Sequence, residues 1–297
     1  ASFAEGRDIM TIRKAVLPVA GFGTRVLPAT KAIPKELLPV VDRPALQYVV
    51  DEARAAGIEH IVFVTGRGKG AIEDYFDIAF ELEDALAKKG KSELLAELER
   101  LHMPAGATSF IRQQGALGLG HAVWCAREAI GPEPFAVLLP DVLVKGGTSC
   151  TAQMVEAYEE VGGNIIAVDA VPEEEVSAYG VIAPKSRRGR LIEMSGMVEK
   201  PAREAAPSNL KITGRYILQP EIFALLETQE RGAGGEIQLT DAMATLMASQ
   251  PFHALEYDGQ DYDCGSRLGY LEAVLAYARD HPEIGPQARK LIARMAG

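Results

Sequence analysis

The chain has few cysteines, no long apolar run and no excess of basic residues. Its three cysteines, Cys125, Cys150 and Cys264, are odd in number and widely spaced, so they form neither a disulfide framework nor a CxxC metal site. This pattern indicates a reducing compartment. No stretch approaches the roughly 20 apolar residues that span a bilayer, and no signal peptide opens the chain. We therefore expect a cytoplasmic protein.

Acidic residues outnumber basic ones by 41 to 31, which gives a net charge of −10. Such a charge disfavours nucleic acid and anionic membrane surfaces as partners. The chain also lacks an HExxH motif, any metal-binding spacing among its five histidines, and a Gly-x-Ser-x-Gly elbow. Zinc-peptidase and serine-hydrolase chemistry therefore have no supporting motif.

A glycine turn with cations close behind it follows the first apolar segment. The run at 15–19 has the length and composition of a buried strand, and Gly21 and Gly23 come directly after it. The hydroxyl and cationic residues that follow are Thr24, Arg25, Lys31 and Lys35. Backbone without side chains lets several N–H groups point into one concavity, and the hydroxyl and cations add hydrogen bonds and charge. The pattern predicts a site for a polyanion such as a phosphate chain.

Neither of the two familiar phosphate loops fits this turn. Val26 stands where a dinucleotide fingerprint has its third glycine, which also disfavours a dehydrogenase. A Walker loop needs Gly-Lys-Ser/Thr, but Gly68-Lys69 runs into Gly70. An ordinary tight turn after a strand is the alternative interpretation, and the cations and prolines behind the glycines favour phosphate binding over it.

Apolar segments that alternate with helical patterns indicate an α/β protein. The expected strands include 15–19, 60–65, 108–113, 135–141 and 164–171, and the first expected helices are 44–57, 71–80 and 82–101. We expect a Rossmann-like mixed, mostly parallel sheet flanked by helices. Past Pro172 the pattern predicts a hairpin-rich insertion, followed by C-terminal helices.

The chain shows no linker, internal repeat or low-complexity tract that would divide it. We expect a single domain over residues 10–297, with 281–297 as a C-terminal helical extension. Residues 1–9 are polar and patternless, and we expect them to be a non-native leader before a natural start at Met10.

In an open parallel sheet, ligands bind beyond the carboxyl ends of the strands. Four candidate features fall at such ends: the Gly21 turn, Gln113 with the glycine-rich loop at 115–120, Asp141 and Asp263. Mg²⁺ is held by one or two carboxylates plus substrate phosphates and waters, so we assign Asp141 and Asp263 to magnesium. A turn or helix cap is the alternative for each aspartate. No general base is evident, which fits a phosphate nucleophile that is already ionised.

An ordered set of short motifs covers the chain from Lys14 to about Tyr277. They are Gly-Phe-Gly-Thr-Arg-Val-Leu-Pro at 21–28, Pro-Lys-Glu-Leu-Leu-Pro at 34–39, Gln-Gln-Gly-Ala-Leu-Gly-Leu-Gly-His-Ala at 113–122, Leu-Pro-Asp at 139–141, Tyr-Gly-Val-Ile at 179–182, Val-Glu-Lys-Pro at 198–201, Gly-Arg-Tyr at 214–216, Gly-Glu-Ile-Gln-Leu-Thr-Asp at 235–241 and Tyr-Asp-Cys-Gly at 262–265. In composition and order they resemble the sugar-1-phosphate nucleotidyltransferases, in particular members that use UTP and glucose 1-phosphate. The resemblance implies transfer of a uridylyl group by Mg²⁺-assisted in-line attack of the sugar phosphate.

The resemblance also implies roles for individual residues. The nucleotide would be held by Ala20, Gly21, Gly23, Thr24, Arg25, Gln113 and Gly118. The sugar phosphate would be held by Gly180, Glu199, Lys200 and Arg215, with Glu199 on the sugar hydroxyls. The metal would be held by Asp141 and Asp263. Catalysis would depend on Arg25, Lys35, Asp141 and Lys200.

Other interpretations stay open from the residues alone. Glu199 and Lys200 also fit an exposed strand-end ion pair worth less than about 1 kcal/mol, Gly180 fits a bulge, and Gln113 fits a polar edge residue. The alternative activities are those of a sister thymidylyltransferase that uses dTTP and of a non-catalytic nucleotide-sensing homologue. A pocket separates uracil from thymine, which differ by a methyl group, by only about 1–3 kcal/mol. The resemblance also implies a homo-oligomer, either a dimer or a tetramer.

Overall fold

The computed structural model describes residues 10–296, and the leader expected at residues 1–9 lies outside them. The strands are β1 (Lys14–Pro18), β2 (Pro39–Val40), β3 (Arg43–Pro44), β4 (His60–Thr65), β5 (Thr108–Arg112), β6 (Phe135–Leu138), β7 (Val142–Lys145), β8 (Asn164–Ala170), β9 (Gly180–Arg188), β10 (Leu191–Glu199), β11 (Leu210–Leu218), β12 (Phe252–Glu256) and β13 (Gln260–Asp263). The helices are α1 (Ala45–Ala55), α2 (Gly70–Phe76), α3 (Phe80–Lys88), α4 (Ser92–Leu101), α5 (Leu119–Cys125), α6 (Arg127–Ile130), α7 (Cys150–Val161), α8 (Ile222–Thr228), α9 (Leu239–Leu246), α10 (Arg267–Asp280) and α11 (Gly285–Ala296).

Nine strands of the described chain form one mixed sheet in the order β5-β4-β1-β6-β11-β8-β12-β10-β9. The parallel neighbours are β5–β4, β4–β1, β1–β6 and β8–β12. The antiparallel neighbours are β6–β11, β11–β8, β12–β10 and β10–β9, and β11 also pairs antiparallel with β9. The mixed α/β fold is confirmed, but the expectation of a mostly parallel sheet is wrong. Every residue of β11 is buried, including the polar residues Lys211, Thr213 and Arg215, so neither its burial nor its composition showed whether it runs parallel or antiparallel to its neighbours.

Both faces of the sheet carry a hydrophobic core because neighbouring strand residues point to opposite sides. Leu17 and Phe63 belong to one core cluster, which includes the buried face of α1. Val16 and Val62 belong to the other, which includes α5, α8 and α9. Apolar side chains therefore cover both faces of the central strands, and Arg215 in β11 is a buried polar exception.

The hairpin expected past Pro172 is present as β9 and β10, but it is part of the main sheet. The turn between them contains Gly189 at a φ of +62°, which favours glycine. The free ends of the hairpin, Gly180 and Glu199, pair with one another. The pairing of Val181 with Lys211 places this end of the hairpin beside β11, and β6 separates β11 from β1, the strand that leads into the glycine turn.

The single helix expected at 82–101 is two helices, α3 and α4. The chain turns at Gly90, whose φ is +67°, and an α-helix cannot continue through that conformation. The preceding helix ends at Phe76 because Asp77 has extended backbone, earlier than the expected end at residue 80. Among residues 10–296 we find no helix with both the length and the apolar composition needed to cross a membrane.

Strand direction explains where the candidate site residues meet. Since β1, β4, β5 and β6 are parallel, the loops after them lie at one edge of the sheet. A separate two-stranded ribbon, β7–β13, pairs Asp263 with Val142, and the Cys264 amide donates to the Asp141 carbonyl at 2.7 Å. The ribbon therefore brings the two aspartates together although 122 positions separate them in the sequence.

Candidate active site

The glycine turn lies directly over Lys35. Gly23 has a φ of +66°, and a Cβ built on it would lie 3.1 Å from the Lys35 Cβ and 3.2 Å from the Thr30 side chain. The Thr30 hydroxyl donates to the Gly23 carbonyl at 2.7 Å and fixes the turn from behind. A Cβ on Gly21 would lie 3.8 Å from the Lys35 Cε. The glycines thus leave the backbone of the turn accessible while a lysine packs beneath it.

Two cations converge on two carboxylates beside this turn. Lys35 Nζ donates to Asp141 Oδ2 at 2.5 Å. Arg25 lies 3.6 Å from the same oxygen and 3.5 Å from Asp263 Oδ2. Burial disfavours the charge of Asp141, but Lys35 and then Arg25 outweigh burial and hold the pKa of Asp141 below its usual value. Asp141 is therefore a carboxylate at neutral pH.

Gly265 keeps the space between the two carboxylates open. A Cβ built on this residue would lie 2.6 Å from Arg25 Nη2, 2.7 Å from Asp141 Oδ2 and 2.9 Å from Asp263 Oδ1. Carboxylate oxygens that converge on one small space suit Mg²⁺, which prefers oxygen ligands and keeps several waters. Within residues 10–296 no group of three or more His, Cys, Asp or Glu could hold a metal, so other ligands would have to come from substrate phosphates and water. The two aspartates fit the expected metal.

The loop that carries Asp141 is hydrogen-bonded to a buried ion pair. Arg215 in β11 is fully buried, and its guanidinium donates to Glu52 of α1 through two hydrogen bonds of 3.0 and 2.9 Å. Its other N–H groups donate to three backbone carbonyls. Two of these belong to Leu139 (3.0 Å) and Val142 (2.6 Å), on either side of Asp141.

This arrangement corrects the expected contact of Arg215 with the sugar phosphate. All five N–H groups of the guanidinium have acceptors within the protein, and Glu52 outweighs burial and raises the pKa of Arg215. Glu52 also accepts from the Thr151 amide and hydroxyl, at 3.1 and 2.6 Å. Sequence reasoning missed Glu52. The sequence signal for it is weak, because α1 also contains Asp51 and Arg54, and β11 also contains Lys211.

Gln113 and Gly118 form a second loop at the same edge. The Gln113 side-chain nitrogen donates to the Gly118 carbonyl at 3.1 Å and lies 3.0 Å from His121 Nδ1. Burial lowers the pKa of His121, so its neutral ring can accept this bond. The side-chain nitrogen of Gln113 is thus engaged on two sides within the protein. His121, at the start of α5, therefore helps to orient the Gln113 side chain.

Glycine is needed at position 118 because the backbone of Ile237 lies against it, as well as for the backbone conformation of the loop. Its φ is +107°, and a Cβ on it would lie 2.8 Å from the Ile237 carbonyl. The Ile237 amide donates to the Leu117 carbonyl at 2.7 Å, and the Gly120 amide donates back to the Ile237 carbonyl at 2.9 Å. The segment before α9 is thereby hydrogen-bonded to the loop that carries Gly118.

The third group of residues lies at the ends of the β9–β10 hairpin. Glu199 accepts a 2.8 Å hydrogen bond from the Thr240 hydroxyl and lies 3.6 Å from Lys200 Nζ. Lys200 has a φ of +46°, an uncommon conformation for a non-glycine residue, and its amide donates to the Tyr179 carbonyl. A Cβ on Gly180 would lie 3.1 Å from Glu199 Oε2. Glycine there leaves room beside the carboxylate.

The segment that leads into α9 joins the hairpin ends to the Gln113 loop. Ile237 is hydrogen-bonded to Leu117 and Gly120, and Thr240 donates to Glu199. Burial raises the pKa of Tyr216 in β11, and the charges of Glu199 and Asp141 raise it further. The structure therefore brings together the glycine turn, Asp141, Asp263, the Gln113 loop and the hairpin ends, and it places Arg215 behind them.

A cavity of about 1190 Å³ lies elsewhere and shares no residue with this site. Several of its charged side chains are already paired within the protein. These pairs are Lys145 with Asp280, His281 with Asp42, and Arg43 with Asp51.

The chain belongs to the nucleotidyl transferase family, whose model matches residues 14–280. The resemblance noted in the sequence is thereby confirmed for almost all of the chain.

Several relatives are similar over nearly their whole length. The UTP–glucose-1-phosphate uridylyltransferase of Bacillus subtilis (strain 168) is 50% identical over 276 residues, which are 93% of this chain and 94% of the relative. A UTP-bound UGPase from Acinetobacter baumannii has a TM-score of 0.89 and 48% identity, and the match covers 95% of this chain and 99% of that one. A UDP-glucose pyrophosphorylase complexed with UDP-glucose has a TM-score of 0.83 and 43% identity, over 91% and 100%.

Proposed function

We propose that this chain transfers the uridylyl group of UTP to glucose 1-phosphate, giving UDP-glucose and pyrophosphate. The observation that carries the proposal is the meeting of Lys35, Arg25 and two aspartates beneath a bare glycine turn. Relatives at about half identity that are named for this reaction, and solved relatives bound to UTP and to UDP-glucose, support the choice of substrates.

The reaction needs alignment and charge stabilisation rather than a general base. The phosphate of glucose 1-phosphate has its second pKa near 6, so its oxygen is a ready nucleophile at neutral pH. This oxygen forms a bond to the α-phosphorus of UTP as the bond from that phosphorus to the pyrophosphate oxygen breaks. Lys35, fixed beneath the turn, neutralises the charge that develops on the α-phosphate and the leaving group.

The proposed metal is Mg²⁺, held by Asp141 and Asp263. When bound, it supplies positive charge to the phosphate oxygens and the departing pyrophosphate. Gly21, Gly23, Thr24 and Arg25 hold the triphosphate. Ala20, Gly21, Gln113 and Gly118 hold the uracil, with the Gln113 oxygen accepting from its N3–H.

The hairpin ends hold the sugar phosphate. Glu199 accepts from sugar hydroxyls, which fits its paired and partly buried carboxylate. Lys200 reaches the phosphate with a largely exposed side chain. Gly180 leaves the space that the sugar occupies.

We also propose that residues 10–297 form one domain with 281–297 as its C-terminal extension, and that the protein is cytoplasmic.

We further propose that the protein is a homo-oligomer, either a dimer or a tetramer. Three exposed leucines at helical spacing on α10, Leu268, Leu271 and Leu275, support a subunit contact. Light scattering coupled to size exclusion tests it, and a monomer at micromolar concentration would contradict it.

The proposed reaction is tested by pyrophosphate release from purified protein with Mg²⁺. UTP, dTTP, ATP, CTP and GTP are each supplied with and without glucose 1-phosphate. We expect release that requires both UTP and the sugar phosphate. A preference for dTTP would show the sister thymidylyltransferase, and binding of UTP without release under any condition would show a nucleotide-sensing protein.

A further inference from the structure

Thr240 forms the closest described contact to the Glu199 carboxylate. It lies in the first turn of α9 and is almost completely buried. Its hydroxyl donates to Glu199 Oε2 at 2.8 Å. A hydroxyl that donates to a carboxylate forms a charge-assisted hydrogen bond, which is stronger than one between neutral groups.

The two oxygens of Glu199 have different partners. Oε2 accepts from Thr240, whereas Oε1 lies 3.6 Å from Lys200 Nζ, a looser ion pair with an exposed lysine. Under the proposed function Lys200 turns to the phosphate of the sugar. The Thr240 hydroxyl would then be the protein contact that fixes the carboxylate.

The space beside this hydrogen bond is kept free of a side chain. A Cβ on Gly180 would lie 3.1 Å from Glu199 Oε2 and 3.7 Å from the Thr240 hydroxyl oxygen. The bond therefore borders the space assigned to the sugar. Because the threonine donor is neutral, it orients the carboxylate without cancelling the charge that attracts sugar hydroxyls.

We propose that Thr240 is a positioning residue for sugar recognition, whose hydroxyl holds the Glu199 carboxylate in the orientation that accepts the sugar hydroxyls. The inference rests on the proposed function and deepens it. Thr240 acts through Glu199. A carboxylate without this bond must be oriented when the sugar binds, and the lost side-chain freedom then weakens binding.

The backbone around Thr240 is fixed independently of its hydroxyl. Ile237, three residues earlier, exchanges backbone hydrogen bonds with Leu117 and Gly120 in the nucleotide loop. Loss of the Thr240 hydroxyl leaves these bonds in place. Its effect should therefore appear in sugar binding and not in nucleotide binding.

Two substitutions separate the hydroxyl from the shape of the side chain. Thr240→Val keeps the shape and removes the donor, and Thr240→Ser keeps the donor. Thr245→Val is the matched control, because Thr245 lies on the same helix with its hydroxyl on the Asp241 carbonyl. Initial rates of pyrophosphate release are measured at varied glucose 1-phosphate and at varied UTP. Calorimetry gives the Kd values of UDP-glucose and of UDP.

We expect Thr240→Val to raise the KM for glucose 1-phosphate and the Kd of UDP-glucose about tenfold, which corresponds to about 1.4 kcal/mol. The KM for UTP and the Kd of UDP should stay within about twofold, since the nucleotide contacts are unchanged. Thr240→Ser should restore most of the loss, and Thr245→Val should match the parent. In a Glu199→Ala background, Thr240→Val should have little further effect on UDP-glucose binding.

Equal weakening of UDP and UDP-glucose by Thr240→Val would overturn the inference, because it would show a general structural role. Unchanged sugar binding, or an undiminished effect in the Glu199→Ala background, would overturn it as well. If the parent protein releases no pyrophosphate from UTP and glucose 1-phosphate, the proposed function itself fails. If the parent is active and Thr240→Val binds glucose 1-phosphate and UDP-glucose as the parent does, the proposed function is kept and only the role of Thr240 is rejected.

Discussion

Replacement of Arg215 by methionine separates two roles for this residue, the phosphate contact expected from its motif and the buried anchor seen in the structure. The substitution keeps an unbranched apolar chain and removes the guanidinium. Glu52 then remains as a buried carboxylate whose donors are the Thr151 amide and hydroxyl. The carbonyls of Leu139 and Val142 also lose a donor.

The expected cost follows from those contacts. Removal of one partner of a buried ion pair typically costs about 3–5 kcal/mol, because the other charge stays buried. A native protein is stable by only about 5–15 kcal/mol. At about 2–4 °C for each kcal/mol, the melting temperature of Arg215→Met should fall by roughly 6–20 °C.

Thermal unfolding followed by circular dichroism measures this loss. Arg187→Met is the matched control, since Arg187 forms an exposed ion pair with Glu256, and exposed pairs contribute less than about 1 kcal/mol. The double variant Arg215→Met, Glu52→Leu should be more stable than Arg215→Met alone because it leaves no unpaired buried charge. If Arg215→Met unfolds at the parent temperature and only its KM for glucose 1-phosphate rises, the guanidinium reaches substrate and the anchor interpretation fails.

Three further substitutions test the nucleotide side of the site. Lys35→Ala should lower kcat by about 10²–10³ with an intact fold, because it removes one preorganised charge; near-parental kcat in rate assays would contradict its role. Gly265→Ala places a methyl group within 3 Å of Asp141 Oδ2, so the Mg²⁺ concentration that gives half-maximal pyrophosphate release should rise. An unchanged concentration would argue against a metal there. Gly118→Ala forces a left-handed alanine against the Ile237 carbonyl, so the KM for UTP should rise about tenfold or more; unchanged UTP kinetics would show that the loop adapts.

The parts of the site that the sequence predicted are those set by local chemistry. A bare glycine turn after a buried strand requires little beyond its own residues, and Gly21 and Gly23 lie where that pattern places them. The two aspartates were predicted as a pair because both follow strands, and the β7–β13 ribbon explains why they meet. These features depend on strand ends, and strand ends are visible in the sequence.

The features that the sequence did not predict depend on which segments lie side by side. Arg215 in a Gly-Arg-Tyr motif fits a phosphate contact as well as a buried anchor, and only the position of Glu52 on α1 decides between them. Thr240 likewise gains its contact because α9 packs beside the end of β10. The direction of β11 is another such case, since it depends on the strands that lie beside it and not on its own residues.

Lys35 and Arg25 differ in how closely the protein contacts their charges, and this difference predicts whether each one contributes to substrate binding or to the rate of the reaction. In a chain with a net charge of −10, each of them has a carboxylate partner. The Lys35 side chain is 15% exposed and bonded to Asp141, whereas that of Arg25 is 63% exposed and lies 3.5 Å or more from either aspartate. A fixed charge costs no reorganisation when the α-phosphorus reacts, so we expect Lys35 to stabilise the transition state. An exposed arginine with longer ion-pair distances is ordered at a cost when it binds the triphosphate, so we expect Arg25→Ala to raise the KM for UTP more than it lowers kcat.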